Sequence, residues 1–250
     1  MKTVIRIGLA VLKGLIIVGA LSAFSIGAYN YADNIHLFAL KRVVVDGTSL
    51  ISNRSIVAEA QLKFGASLLT LPMDSIQARI LAHPYVAAVQ ISRQLPRTLF
   101  IQVKERIPIA YVHHGNFACV DGQGVILPLP RAGMTLSLPV LSGFAARDSL
   151  SINQHSSNRQ LTDMVEILNT IQHVYPALYS QVSELVSTKQ GYVIYSAHSP
   201  TRIYLGNSDL SNKVHILESF WTTIGNRREW DDYEYIDLRY NKQVIVRERT

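Results

Sequence analysis

The sequence predicts an α+β fold with a single N-terminal transmembrane helix, then a β-α-α-β-β domain, then a mixed β domain with two amphipathic helices. Three observations predict it: an uncharged stretch from Gly14 to Ala32 behind a basic head, a compact run of strand and helix signals over 40–106, and short strands interleaved with two apolar-striped segments over 107–250. Of the 250 residues, 48% are hydrophobic, enough for one or two buried cores and far from the composition of disorder.

The stretch GLIIVGALSAFSIGAYNYA, Gly14 to Ala32, is close to the ~20 residues a helix needs to cross ~30 Å of hydrocarbon. A lysine at the bilayer centre costs roughly 2.5–3.5 kcal/mol, whereas at the boundary its stem snorkels to the headgroups, so Lys13 marks the near face. Lys2, Arg6 and Lys13 precede the span and Asp33 follows it, which by the positive-inside rule keeps the N-terminus cytoplasmic and exports the rest. Tyr29 and Tyr31 then fall in the far interface. Ile26-Gly27-Ala28 is a weak cleavage-site match, but the apolar run exceeds the ~7–15 residues of a secretory h-region, so an uncleaved anchor is expected. The expected boundaries are a cytoplasmic tail at 1–13, the span at 14–32, a linker at 33–39, a first domain at 40–106 and a second at 107–250.

In the first domain, LKRVVVD at 40–46 is an apolar, β-branched run closed by Gly47, the signal of a strand and turn. A helix follows, with Ser52 as N-cap, Ile56, Ala60 and Phe64 at i, i+4, i+8, and Gly65 as its stop. A second helix places Met73, Ile76 and Ile80 on one face and ends at His83, because Pro84 disfavours α geometry in the residue before it. Residues 85–92 are β-like, Leu95-Pro96-Arg97 turns, and Leu99, Ile101 and Val103 alternate with polar residues as in a half-buried strand.

The second domain opens with strands around Tyr111–Val112, Phe117–Val120 and Val125–Leu127, connected by His113–Asn116 and Asp121–Gly124. A helix over 159–173 is carried by Leu161, Leu168 and Ile171, and Pro176 limits its extension. Strands at 182–188, 192–196 and 202–205 form an antiparallel meander, and Leu210, Val214, Leu217, Trp221 and Ile224 give the second amphipathic helix. YIDLRYNKQVIVRE at the end reads as two strands joined around Asn241–Gln243.

The formal charge is +6, yet three of the 24 basic residues precede the first acidic one, so the exported part carries an excess of only three. Its longest basic cluster, Arg227-Arg228, runs straight into Glu229, Asp231 and Asp232, and this lack of a patch argues against nucleic-acid binding. Cys119 is the only cysteine, which excludes an internal disulfide and a C-x-x-C metal site.

As a catalytic pair, Cys119 with His113, His114 or Asp121 is a weak pattern, since a small thiol on a strand beside Phe117 reads as core. Adjacent His113 and His114 point to opposite strand faces and do not chelate. Gly122-x-Gly124 lies in a hairpin with no helix behind it to hold phosphate, and Asp231, Asp232 and Glu234 read as a solvated loop. No catalytic residue, metal or cofactor is expected.

The stretch HPYVAAVQISRQLPRTLFIQVKERIPIAYV, residues 83–112, resembles the FtsQ/DivIB family of bacterial cell-division proteins, through Pro84-Tyr85-Val86, Arg93, Pro96, Leu99, Glu105, Pro108 and Ala110. Val43 to Gly47, VDGQGVIL at 120–127, LPVLSG at 138–143 and YIDLRY at 235–240 extend the resemblance over nearly the whole chain. It implies that 40–106 is a polypeptide-transport-associated (POTRA) domain and 107–250 an FtsQ-type β domain. It implies a non-enzymatic scaffold of the inner membrane, concentrated at the division septum, which links early and late division proteins and recruits the FtsB–FtsL pair. Other divisome members would meet the POTRA domain.

The last strand, Val244–Arg247, has no later segment to pair with and is expected at a sheet edge, a template for binding, and the resemblance implies that it accepts a partner strand by β-augmentation. By resemblance, Arg239 and Tyr240 of the Asp-Leu-Arg-Tyr motif lie at that surface beside Val244, Ile245, Val246 and Arg247. The sequence departs from the family in Asn241-Lys242-Gln243, where a Pro-Asn-Gly-like turn is expected, and in Glu248, where a tryptophan is. The runner-up is a POTRA-containing assembly or chaperone factor for exported polypeptides. A barrel of that kind needs at least ~8 strands of ~9–11 residues, longer than those here. A third reading, an exported hydrolase, would require Cys119 or His113 for function.

Overall fold

A computed structural model describes residues 2–34, 36–131, 134, 136–144, 150–224, 228–240 and 243–249, with the side chains of 2–11, 32–34 and 114 excepted. The chain divides into two compact units, Met1–Glu105 and Arg106–Thr250.

The first unit begins with α1, Lys2–Asn34, which extends beyond the predicted span at both ends. Its segment Leu12–Tyr31 is long and apolar enough to cross a membrane and is nowhere buried by the protein. Ser22 and Ser25 return their hydroxyls to the carbonyls of Val18 and Leu21 at 2.8 Å, so neither presents an unsatisfied donor to lipid.

Then come β1 (Arg42–Asp46), α2 (Asn53–Ala60), α3 (Met73–Leu81), β2 (Val86–Gln94) and β3 (Thr98–Glu105), the predicted β-α-α-β-β order. The three strands form one sheet in the order β1-β3-β2, with β1 parallel and β2 antiparallel to β3. Ile56 and Ala60 of α2, Ile76 and Ile80 of α3, and Leu99, Ile101 and Val103 of β3 are all buried and make up its core.

Ser52 caps α2 by accepting from the Ser55 amide. The helix stops at Ala60, earlier than expected, because Gln61 takes a left-handed φ of 48° and returns its amide to Ala58. Phe64 therefore leaves the helical face and is 59% exposed, a correction to the predicted stripe. The second helix likewise ends at Leu81, two residues short of His83.

Charged side chains tie the loops and helix ends of this unit together. Glu105 accepts from the Ser49, Leu50 and Ile51 amides at 2.8–2.9 Å and from the Ser49 hydroxyl at 2.7 Å. Arg93 donates to the Leu68 and Leu71 carbonyls, and Arg79 to the Ala60 carbonyl at the end of α2. Gly47 is obligatory at the first turn: its φ is 82°, and a Cβ there would lie 2.1 Å from the Val103 carbonyl oxygen.

The second unit contains β4 (Pro108–His114), β5 (Asn116–Asp121), β6 (Ile126–Leu127), β7 (Val140–Ser142), α4 (Arg159–Val174), α5 (Pro176–Tyr179), β8 (Val182–Thr188), β9 (Gly191–Ser196), β10 (Arg202–Gly206), α6 (Leu210–Ile224), a 3-10 turn at Trp230–Asp232, β11 (Tyr233–Asp237) and β12 (Ile245–Glu248). The strands form one mixed nine-stranded sheet in the order β12-β11-β10-β9-β8-β7-β4-β5-β6. The expected meander is β8-β9-β10, antiparallel throughout.

His113 and His114 belong to β4 and Asn116 to β5, so the predicted connection shrinks to Gly115, whose φ is 75°. The last strand starts at Ile245, one residue later than expected. Of the expected turn at Asn241–Gln243, Asn241 and Lys242 lie outside the described residues, as does Arg227 of the basic pair.

Period-two register aligns Leu141, Leu185, Ile194, Ile203, Ile236 and Val246 across six adjacent strands. This row packs with the apolar stripe of α4 (Leu161, Met164, Leu168, Ile171) and with Val214 and Leu217 of α6 in a single core.

Burial pushes the Glu105 carboxyl up, but the backbone amides of Leu50 and Ile51 and the Ser49 bonds outweigh it and hold the group below the usual range. A depressed folded value stabilises the fold above the unfolded pKa, ~4.3, and the contribution disappears as pH falls through the lower value. Glu105→Gln should speed amide exchange at Leu50 and Ile51 about tenfold at neutral pH, with the difference from wild type vanishing in acid. Hydrogen exchange read by mass spectrometry checks both.

Candidate partner-binding edge

β11 ends at Asp237, and the next three residues leave the sheet with very different environments. Leu238 is buried and donates its amide to the Tyr204 carbonyl at 2.9 Å. Arg239 folds back onto Asp237, its Nε 2.9 Å from Oδ1 and its Nη2 2.6 Å from Oδ2, a two-pronged contact suited to the planar guanidinium. Its Nη1 reaches Gln190 at 2.9 Å, and its Cζ stands 5.0 Å from the centre of the Tyr204 ring. Tyr240 turns outward and is 55% exposed.

Asp237 is 4% exposed. Burial pushes its carboxyl up, but the hydrogen bonds and charge of Arg239, helped by the Lys213 ammonium, hold it below the usual range. Lys213 is itself buried on α6 and donates to the Leu205 carbonyl at 2.7 Å. Desolvation pulls its ammonium below the usual lysine value, against the pull of Asp209 and Asp237. Asp237 is therefore a buried anion between two cations, and the turn carrying Tyr240 is anchored by charge as well as by Leu238.

A cavity of about 290 Å³ opens beside Tyr240, lined also by Lys213, Ile216 and Leu238. A second, of about 460 Å³, continues along α6 past Ile216, Phe220 and Ile224 to Val244.

Among the described residues β12 is the outermost strand, paired with β11 alone. Val244 and Val246 pack against the core, while Ile245 is 37% exposed and Arg247 pairs with Glu234 at 3.0 Å in solvent. Glu248 pairs with Arg228 at 3.1 Å, both side chains about half exposed. Exposed pairs of this kind contribute little, about 0–1 kcal/mol.

The other sequence candidates fall into structural roles. Cys119 is fully buried opposite Tyr111 in the β4–β5 pairing. His113 is exposed and stacks on Phe117, ring centres 4.8 Å apart, and Phe117 is 54% exposed, two residues before the buried Cys119. Asp121 accepts from the Gln123 and Val125 amides and from Arg106 at 2.8 Å, so the Gly122–Gly124 loop turns its amides onto its own carboxylate. Asp232 closes a capping box with Glu229, and Glu234 is taken by Arg247. Among the described residues no three His, Cys, Asp or Glu side chains gather as metal ligands.

Sequence reasoning misses Tyr204, Gln190 and Lys213. Only the pairing of Tyr204 with Asp237 in the β10–β11 register, and the approach of α6 to β10, bring them to Arg239.

An apolar N-terminal helix, a β-α-α-β-β unit and a mixed sheet define a membrane-anchored protein of the POTRA class. Residues 38–106 match the family described as POTRA domain, FtsQ-type, and residues 107–246 match FtsQ/DivIB, C-terminal related. The chain belongs to the FtsQ/DivIB family of cell-division proteins. It is similar to the cell division protein FtsQ of Geotalea daltonii, 26% identical across 95% of this chain and 86% of the relative. FtsQ of Geobacter sp. strain M21 is 24% identical across 88% of this chain and 79% of the relative. DivIB of Clostridium acetobutylicum is 30% identical over a shorter stretch, 44% of this chain and 45% of the relative.

Asp237→Asn leaves Arg239 and Lys213 without their shared anion and should lower the unfolding free energy by about 2 kcal/mol, discounted from the ~3–5 of a fully buried pair because Arg239 is one third exposed. Urea unfolding of the detergent-solubilised chain measures it. Cys119, fully buried, should resist an aromatic disulfide reagent in native buffer and react at once in denaturant. Rapid native labelling would show that the β4–β5 core opens.

Proposed function

We propose that the chain is a non-enzymatic divisome scaffold that recruits an FtsB–FtsL pair by adding a partner strand to the β12 edge. The observation that carries this reading is that side of β12 which is unpaired among the described residues, beside an exposed Tyr240 and an anchored Arg239. Unpaired edge N–H and C=O groups supply affinity that depends little on sequence, and the side chains beside them set register. Val244 and Val246 face the core, so they offer backbone; Arg239, Tyr240, Ile245 and Arg247 offer side chains.

In this reading residues 1–13 are a cytoplasmic tail, 14–32 the anchor, 33–39 a linker, 40–106 the POTRA domain and 107–250 the partner-binding domain. The N-terminus lies in the cytoplasm, both domains lie in the periplasm, and the protein gathers at the septum of the inner membrane. The POTRA domain meets other divisome members, and β1 and β2, each at the rim of its sheet, are where a further strand can add.

The test is co-purification of the full chain, in detergent, with tagged extracytoplasmic segments of FtsB-like and FtsL-like proteins. Tyr240→Ala should weaken binding about thirtyfold, the equivalent of ~2 kcal/mol, with circular dichroism unchanged. Unchanged affinity in the folded variant removes Tyr240 from the contact. No binding by folded wild type turns the assignment toward an assembly factor for exported polypeptides.

A further inference from the structure

From a separate cavity, at the C-terminal end of α6, we infer a carbohydrate subsite that holds one neutral pyranose ring of a glycan. This inference is independent of the β12 edge.

The chain has two tryptophans, and both line this cavity. Trp221 comes from the last turns of α6 and Trp230 from the 3-10 turn. Their rings stack with centroids 4.0 Å apart and planes 11° from parallel, so each braces the other. Trp230 is buried and Trp221 half-buried, so the indole surface left for an occupant is that of Trp221.

The cavity measures about 300 Å³, at the small end of ligand sites and of the order of a single sugar ring. Its remaining wall is polar. The lining includes Gln181, Ser196, Ser199, Glu229 and Asp231, a set of planar amide, carboxylate and hydroxyl groups able both to donate and to accept.

Two features select among occupants. The Ser196 hydroxyl is buried and, among the described residues, makes no hydrogen bond. A buried hydroxyl left unmatched costs about 1–3 kcal/mol, so an occupant with polar atoms is favoured over an apolar side chain. Charge is the second. Glu229 and Asp231 oppose an anion, and of the basic groups in the lining Arg228 is already paired with Glu248, which leaves the exposed His198. A neutral ring with one C–H face for the indole and hydroxyls around its rim meets both conditions.

The stacked pair is also the reporter, since all tryptophan emission arises from this cavity. The full chain, in a sugar-free zwitterionic detergent, is titrated with triacetylchitotriose and with maltotriose while emission is followed. The expected result is a saturable change with at least one of them, the preference between them reporting whether an acetamido group is read. Asp231→Ala and Ser196→Ala should each weaken that response at least tenfold without altering circular dichroism. Ser196→Ala is diagnostic, because removing an unsatisfied hydroxyl does not weaken the fold, so lost binding is not lost structure. No emission change up to about 10 mM sugar, the upper end of weak binding, overturns the inference. A response retained in both variants also overturns it. So does a response to a lysine-rich peptide and to neither sugar, which reassigns the cavity to a protein partner.

Discussion

The second unit depends on covering one face of a nine-stranded sheet with α4 and α6. A row from Leu141 through Leu185, Ile194, Ile203 and Ile236 to Val246 supplies the apolar face, and its register is strict because a slip of one residue would turn every member of the row to the other side. The effect on the edge is geometric. Once Ile203 lies opposite Ile236, Tyr204 must lie opposite Asp237, and the Arg239 guanidinium has a ring to rest against and a buried carboxylate to bind. The position of the Tyr240 turn is thus set by hydrophobic register several residues away.

Charge is used sparingly and at joints. Glu105 collects the amides of the loop after β1, Arg93 and Arg79 take carbonyls around the two helices, Asp121 gathers its own turn, and Asp237 fixes the turn after β11. In each place irregular backbone would otherwise leave polar groups without partners, and a charged side chain satisfies several at once. Glu105 and Arg93 stand among the residues that carry the family resemblance, and the structure gives both a mechanical reason: each holds a loop that strand pairing alone cannot order.

Much of the fold is legible in the sequence because local periodicity and burial agree. The Ser52 cap starts a helix as predicted, and the alternation of Leu99, Ile101 and Val103 and the stripe of Leu161, Leu168 and Ile171 predict elements that form with those apolar residues inside. Phe64 marks where periodicity misleads: the four-residue spacing continues past Ala60, but Gln61 adopts a left-handed backbone that spacing does not encode. The β4–β5 hairpin is tighter than its polar residues imply, since one glycine turns it and the histidines remain in the ladder. At the candidate edge, Arg239 and Tyr240 are legible through the motif. Their supports, Tyr204, Gln190 and Lys213, are not, because only tertiary register brings them near. The cavity beneath the tryptophans is equally invisible: Trp221 reads as one more member of an amphipathic stripe until Trp230 is seen stacked upon it.

The brevity of β12 bears on what can join it. Four residues provide few ladder positions, and Arg247 and Glu248 occupy two of them, already engaged with Glu234 and Arg228. A long, flat, apolar edge invites indiscriminate growth, copy upon copy, toward filaments and aggregates; a short and charged one does not. The strand proposed to accept a guest is therefore poorly suited to templating its own kind, and a crowded membrane can hold many copies without the sheets fusing into fibres.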